Sequence, residues 1–159
     1  MDIELHIIPR GSGKYDILDG KERKIYYVTK KRKLIGNPIT TLHDANGYAL
    51  YTMIRTAAGM KPSFDIIFND ALLMKAQCTS LYVDPTITFE GKDINYKLRG
   101  KKHSELTLTK DREEIGKLVT EDQANGDPIY TLTIKDKAFD DFIPLFAVAT
   151  DKSFSGKNK

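Results

Sequence analysis

Eight consecutive residues near the end of the chain, Phe142-Ile143-Pro144-Leu145-Phe146-Ala147-Val148-Ala149, carry no polar side chain. This stretch constrains the fold more than any other feature. Proline is tolerated in the first turn of a helix, where its missing N–H has no intrahelical partner to lose. Asp140 and Asp141 stand where capping residues belong. Ala138–Ser153 therefore reads as a helix with apolar side chains round its whole circumference and no polar stripe before Asp151. Such a segment is too short to span a bilayer, so protein must enclose it on every side.

The rest of the chain alternates with period two. Ile3, Leu5 and Ile7 interleave with Glu4 and His6. Short β-branched or aromatic runs follow at Tyr15–Leu18, Ile25–Thr29, Ile39–Leu42, Tyr48–Ile54, Phe64–Phe68, Ala71–Gln77 and Ser80–Val83. Others lie at Thr86–Phe89, Ile94–Leu98, Leu106–Thr109, Leu118–Thr120 and Ile129–Ile134. Turn residues such as Asp19-Gly20, Asn46-Gly47, Asn69-Asp70, Asp84-Pro85 and Asn125-Gly126 separate them. Many short strands with regular turns make a mainly β, antiparallel fold, and no strand–helix alternation points to a parallel sheet. The simplest enclosure for the helix is a closed barrel with the helix down its axis. About eight strands already close round their own side chains, so a lumen that admits a helix calls for about twelve.

Two hairpins share a pattern. Ala45-Asn46-Gly47 leads into Leu50-Tyr51-Thr52-Met53, and Ala124-Asn125-Gly126 leads into Ile129-Tyr130-Thr131-Leu132. Asn-Gly is the pair that a type I′ turn prefers, with φ > 0 at both positions. The offset is half the chain, so the spacing predicts two similar halves, roughly 14–77 and 80–134, in which the two hairpins coincide.

The 159 residues fit one domain, 1–159, with a core of about 2–151 and a flexible basic tail over 152–159. Net charge is only +3, which gives no electrostatic case for nucleic acid. Cys78 is the single cysteine, so no disulfide or cysteine-based zinc site can form within the chain. Asp2 and Glu4 at the start argue against a signal peptide, and the expected compartment is the cytoplasm.

These hairpins and the helix are similar to those of the tubby-like superfamily, in its LURP-one-related and bacterial branch, with phospholipid scramblases as distant relatives. The likeness rests on His43-Asp44-Ala45-Asn46-Gly47-Tyr48-Ala49-Leu50 followed by Pro62-Ser63-Phe64-Asp65-Ile66, on the hairpin Asp122–Leu132, and on the segment Asp141–Asp151. It spans roughly 14–151. The resemblance implies a twelve-stranded barrel around a central helix. It brings an association of tubby members with phosphoinositides and membranes, a calcium and lipid association of scramblases, and no catalytic motif.

Residue by residue, no catalytic set, metal site or cofactor emerges. Arg10-Gly11-Ser12-Gly13-Lys14 lacks the leading Gly and trailing Ser or Thr of a phosphate loop, having Ile8 and Tyr15 there. His6, His43 and His103 have no second His or Cys at ligand spacing. Cys78 follows an apolar strand and is expected to be a buried thiol. Asp136, Asp140, Asp141 and Asp151 flank the helix without the spacing of a calcium loop.

The remaining lead is basic. Lys30, Lys31, Arg32 and Lys33 fall between two strands, and Lys97, Arg99, Lys101 and Lys102 hold the comparable place in the second half. They are candidates for binding an anionic ligand: a phospholipid headgroup, another phosphorylated molecule or a membrane surface reached from the cytoplasmic side. Charged hairpin tips also serve simply to keep a sheet soluble. The expected function is a non-enzymatic binding module for such a ligand; the alternative is a structural or protein-interaction domain.

Overall fold

The computed structural model describes residues 2–57 and 61–154. Twelve strands occur in chain order. The first six are β1 (Asp2–Gly11), β2 (Lys14–Asp19), β3 (Lys24–Lys31), β4 (Ile39–Asp44), β5 (Ala49–Ala57) and β6 (Ser63–Phe68). The others are β7 (Ala71–Ser80), β8 (Thr86–Gly91), β9 (Ile94–Lys102), β10 (Glu105–Lys110), β11 (Glu113–Asp122) and β12 (Pro128–Lys135). Each pairs antiparallel with its neighbour in sequence, and β12 returns to pair with β1, with Leu132 opposite Leu5 and Ile134 opposite Ile3. The barrel is closed and leaves no unpaired edge.

Alternation sorts the side chains as the sequence predicts. Leu5, Ile7, Ile17, Val28, Leu42, Met53, Ile66, Met74, Phe89, Leu98, Leu108, Leu118 and Leu132 point inward and are buried. A single turn of 3₁₀ helix, Asp136–Ala138, leads from β12 towards α1 (Pro144–Phe154). Every residue of α1 from Pro144 to Asp151 is buried. Phe146 stacks on Phe89 of β8 and meets Tyr96 of β9 edge-on, at centroid distances of 3.9 and 5.1 Å. Asp151 reaches Tyr15 of β2 and Tyr130 of β12. Contacts with β8 and β9 on one side and with β2 and β12 on the other, and the burial of its whole circumference, place the helix in the lumen, as its all-round apolarity requires.

Four expectations change. The helix starts at Pro144, not Ala138, and neither Asp140 nor Asp141 caps it: Asp140 accepts the Ile143 N–H with its backbone carbonyl, and the Asp141 carboxylate is engaged by Tyr51. Lys152, Ser153 and Phe154 belong to the helix rather than to a tail, and 155–159 lie outside the described residues. Ser80–Val83 is not a strand of its own. β7 ends at Ser80 and the chain loops through Asp84, whose φ is 48°, with the Ser80 hydroxyl donating to the Val83 carbonyl.

The fourth concerns the hairpins. In both, only the glycine has φ > 0, 93° at Gly47 and 86° at Gly126. The Gly47 N–H donates to the Asp44 carbonyl and the Gly126 N–H to that of Gln123. These are three-residue loops with a left-handed glycine, not two-residue type I′ turns. Their places differ too. The first joins β4 to β5 and the second β11 to β12, seven strands on. In an up-and-down barrel an odd strand offset reverses the end, so the hairpins lie at opposite ends and cannot coincide in two superimposed halves.

Candidate functional site

The barrel has two chemically different ends. At the base, beside the start of α1, lie the β2–β3, β4–β5, β6–β7, β8–β9 and β10–β11 turns and the segment after β12. Each carries an aspartate, Asp19, Asp44, Asp70, Asp93, Asp111 and Asp136 respectively, interspersed with Lys21, Arg23, Lys92, Arg112 and Lys137. The other end, the mouth, lies round the last turn of α1. It is formed by the β1–β2, β3–β4, β5–β6, β7–β8, β9–β10 and β11–β12 connections.

Tyrosines hold the helix at both ends. At the base, the Tyr51 hydroxyl donates to Asp141 at 2.6 Å, and Tyr51 meets Phe142 edge-on. At the mouth, Tyr15 donates to Asp151 at 2.5 Å and Tyr130 donates to the other oxygen of the same carboxylate. Burial first, and then the charge of Asp151, push both phenols far above their ordinary range, so they stay neutral donors. Burial and Asp140 likewise push Tyr96 up to about 12. Tyr51 and Tyr130 are the matching tyrosines of the two similar hairpins. The shared pattern thus places one helix anchor at each end of the lumen.

Of the predicted basic residues, Lys31, Arg32 and Lys33 project freely from the β3–β4 connection at the mouth. Lys30 points inward and is half-buried, lying across Gly13, where any Cβ would strike its chain. Lys97 sits lower, on the outer wall of β9. Arg99 and Lys101 are engaged by Asp84, at 3.3 and 3.4 Å, and Lys102 is exposed at the end of β9. The two clusters do not converge on one pocket. β3 and β9 are six strands apart in a twelve-stranded barrel, on the order of 20 Å across the lumen. They do share the mouth end.

Sequence reasoning missed what stands beside them. Leu34 and Ile35, directly after Lys33, are 103% and 87% exposed, and Tyr82 and Val83 in the β7–β8 loop are 69% and 80% exposed. His103 donates to the Leu81 carbonyl and stacks on Phe154 at 4.4 Å, fixing the β9–β10 turn, with Lys101 and Lys102, beside the β7–β8 loop. Each apolar tip therefore adjoins a basic segment. A third feature of the mouth is a hollow of about 330 Å³ between the β1–β2 and β11–β12 turns, bordered by Arg10, Gly13, Lys14, Asn125 and Asp151.

The other candidates settle as local structure. Arg10-Gly11-Ser12-Gly13-Lys14 makes the β1–β2 turn, with φ of 87°, 56° and 75° at Gly11, Ser12 and Gly13. His6 bridges Glu4 and Thr131, and His43 stacks on Tyr27 and bonds to Thr29. Cys78 is buried, and burial pushes its thiol pKa up, away from reactivity. Asp141 and Asp151 are held at opposite ends of the helix, so the helix-flanking aspartates do not gather. No helix among the described residues is long and apolar enough to cross a membrane.

No family model and no curated protein matches the chain. Among solved structures, the fold is similar to the X-ray structure of a protein from Arabidopsis thaliana, AT5G01750. The TM-score is 0.65 at 14% identity, over 95% of this chain and 90% of that one. At that identity the likeness is one of fold.

Proposed function

We propose that the protein is a non-enzymatic docking module that settles, mouth first, on an anionic phospholipid surface. The observation that carries this reading is the pairing, at one end of the barrel, of exposed apolar tips with basic segments: Leu34-Ile35 after Lys31-Arg32-Lys33, and Tyr82-Val83 beside Lys101 and Lys102. A solvated charged rim would need no such tips, because large exposed apolar side chains are a liability unless something covers them. Each Lys or Arg near an anionic leaflet contributes ~1 kcal/mol, and each large apolar side chain ~1.5–3 kcal/mol when buried. Neither set alone anchors firmly; together they supply the two signals that peripheral attachment takes. The base also exposes Tyr48, Phe68 and Leu72, but there each connection carries a carboxylate among the cations, so it offers no comparable basic surface. The tubby-like resemblance of the hairpins and helix points the same way, since tubby members associate with phosphoinositides.

Co-sedimentation tests it. Vesicles containing phosphatidylserine should bring the protein down, and added salt should release it as the charges are screened. Replacing Leu34, Ile35, Tyr82 and Val83 with Ser, or Lys31, Arg32 and Lys33 with Ser, should each weaken attachment without lowering the melting temperature. Retention of full binding by both variants, or binding to neither anionic nor neutral vesicles, contradicts the reading and favours a protein-interaction domain.

A further inference from the structure

One sector of the base, built by the β4–β5 and β6–β7 connections, is both apolar and acidic. Tyr48, Phe68 and Leu72 are exposed there. The pairing of β5, β6 and β7 gathers them at one end: Thr52 lies opposite Ile67, Ile67 lies opposite Leu72, and the Tyr51 ring meets Phe68 at 5.3 Å. Both turns are tight. The Asp44 carboxylate accepts the Asn46 and Tyr48 N–H groups, and Asn69 and Asp70 turn with φ of 49° and 63°. The backbone thus presents these side chains at little further entropic cost to a partner. Residues 42–54 and 62–74 contain Asp44, Asp65 and Asp70 but no Lys or Arg. Lys75 takes up Asp65 at 3.2 Å, so Asp44 and Asp70 set the sign of the sector. Asp141, held by Tyr51 beside Phe68, adds to it.

The opposite composition stands at the other end of β4. Between Glu22 and Asp44 the chain has no carboxylate. The β3–β4 connection carries Lys31, Arg32 and Lys33 ahead of the exposed Leu34 and Ile35. One strand of six residues, β4, joins this basic, apolar tip to the acidic, apolar sector. Two mouths would repel one another, and so would two acidic sectors. A mouth on a base matches in sign and covers large apolar side chains on both partners.

We propose that the protein self-associates head to tail in solution, the tip at 31–35 of one copy seating on the Tyr48, Phe68 and Leu72 sector of the next. The contact is heterologous: each copy keeps a free mouth or a free base, so assembly continues beyond a dimer. A few apolar side chains and charges on each side make a small interface of the transient kind. The contact uses the same tip as membrane docking but stands without it. A mouth seated on a leaflet is closed to a second copy, and in solution the second copy covers what the leaflet otherwise would.

Sedimentation velocity of the full chain in low salt tests this. The mean sedimentation coefficient should rise with concentration up to about 1 mM, the range of weak complexes. Added sodium chloride should return it towards the monomer value as the charges are screened. Two variants separate the ends. The mouth variant carries Lys31→Ser, Arg32→Ser, Lys33→Ser and Leu34→Ser; the base variant carries Tyr48→Ser, Asp70→Asn and Leu72→Ser. All these positions are exposed, and Asn tolerates the left-handed backbone of Asp70, so both variants should melt as wild type does. Each alone should stay monomeric. Mixed, they should form a one-to-one dimer and nothing larger, because the first keeps its base and the second its mouth. A wild type that stays monomeric across the series, undiminished association in either variant, or a mixture without the dimer would overturn the head-to-tail contact. The base variant should still bind phosphatidylserine vesicles as wild type does, so failure of self-association and failure of membrane docking are read separately.

Discussion

Phe146 lies flat on Phe89 and is 1% exposed. Truncating it removes a ring from a close-packed lumen that has no solvent side on which to relax. Phe146→Ala should cost about 3–5 kcal/mol in denaturant unfolding, as for other buried aromatics. The Asp151 carboxylate works differently. Tyr130→Phe removes one donor from a buried charge and should cost about 1–3 kcal/mol, with Tyr15→Phe coupled to it because both serve one acceptor. Both phenols have folded-state pKa values raised above the unfolded value. The stability they confer is therefore fully present below about pH 10 and is lost as pH rises past it, because the unfolded chain releases phenolic protons that the folded one retains. Wild type should show a steep fall in melting temperature above about pH 10, and the double Tyr15→Phe, Tyr130→Phe variant a shallower one. Lys152 acts with the opposite sign. Its lowered pKa means that the folded state resists protonation, so a penalty present below about 8 is relieved as pH rises from there towards the ordinary lysine value. The burial of Phe146 follows from the all-round apolarity of its helix, but the roles of the tyrosines, Asp151 and Lys152 could not be read from the sequence. A tyrosine in a hairpin reads as a strand residue, and only the lumen shows that Tyr51 and Tyr130 face the carboxylates at the two ends of the helix, Asp141 just before it and Asp151 in its last turns.

At the scale of elements, the helix is the barrel's core. Removing residues 138–159 would leave inward side chains such as Phe89, Tyr96 and Met53 lining an empty lumen. The truncated chain should lose cooperative melting, and a folded, monomeric product would show that the strands close without it. This much was legible in the sequence, because an all-apolar helix in a chain of period-two strands has few places to go. What misled was local likeness. The two Asn-Gly hairpins resemble one another because each feeds an inward tyrosine towards the helix. Their separation of seven strands, an odd number, sends them to opposite ends. Ser80–Val83 carries strand-like residues yet loops outward, since Asp84-Pro85 ends pairing after Ser80. Sequence alternation tells which side of a strand a residue takes; it does not tell at which end of a barrel a turn emerges.

At the scale of the whole molecule, filling the lumen with a helix leaves the ends and outer wall for binding. The basic residues singled out from sequence are split between two sides of one end, and Arg99 and Lys101 are partly occupied by Asp84. Their neighbours Leu34, Ile35, Tyr82 and Val83 turn that end into a surface of mixed apolar and basic character. Those tips were invisible beforehand because a two-residue apolar step after a basic run carries no periodicity. Docking by the mouth is a matter of orientation. Cys78 is buried, so single cysteines introduced at Leu34, Tyr82 and Tyr48 can each carry an environment-sensitive fluorophore with little background labelling. On adding phosphatidylserine vesicles, the probes at Leu34 and Tyr82 should shift to the blue as they enter the interface, while the probe at Tyr48, on the base, should keep its aqueous spectrum. Equal shifts at all three positions, or a shift confined to Tyr48, would contradict docking by the mouth.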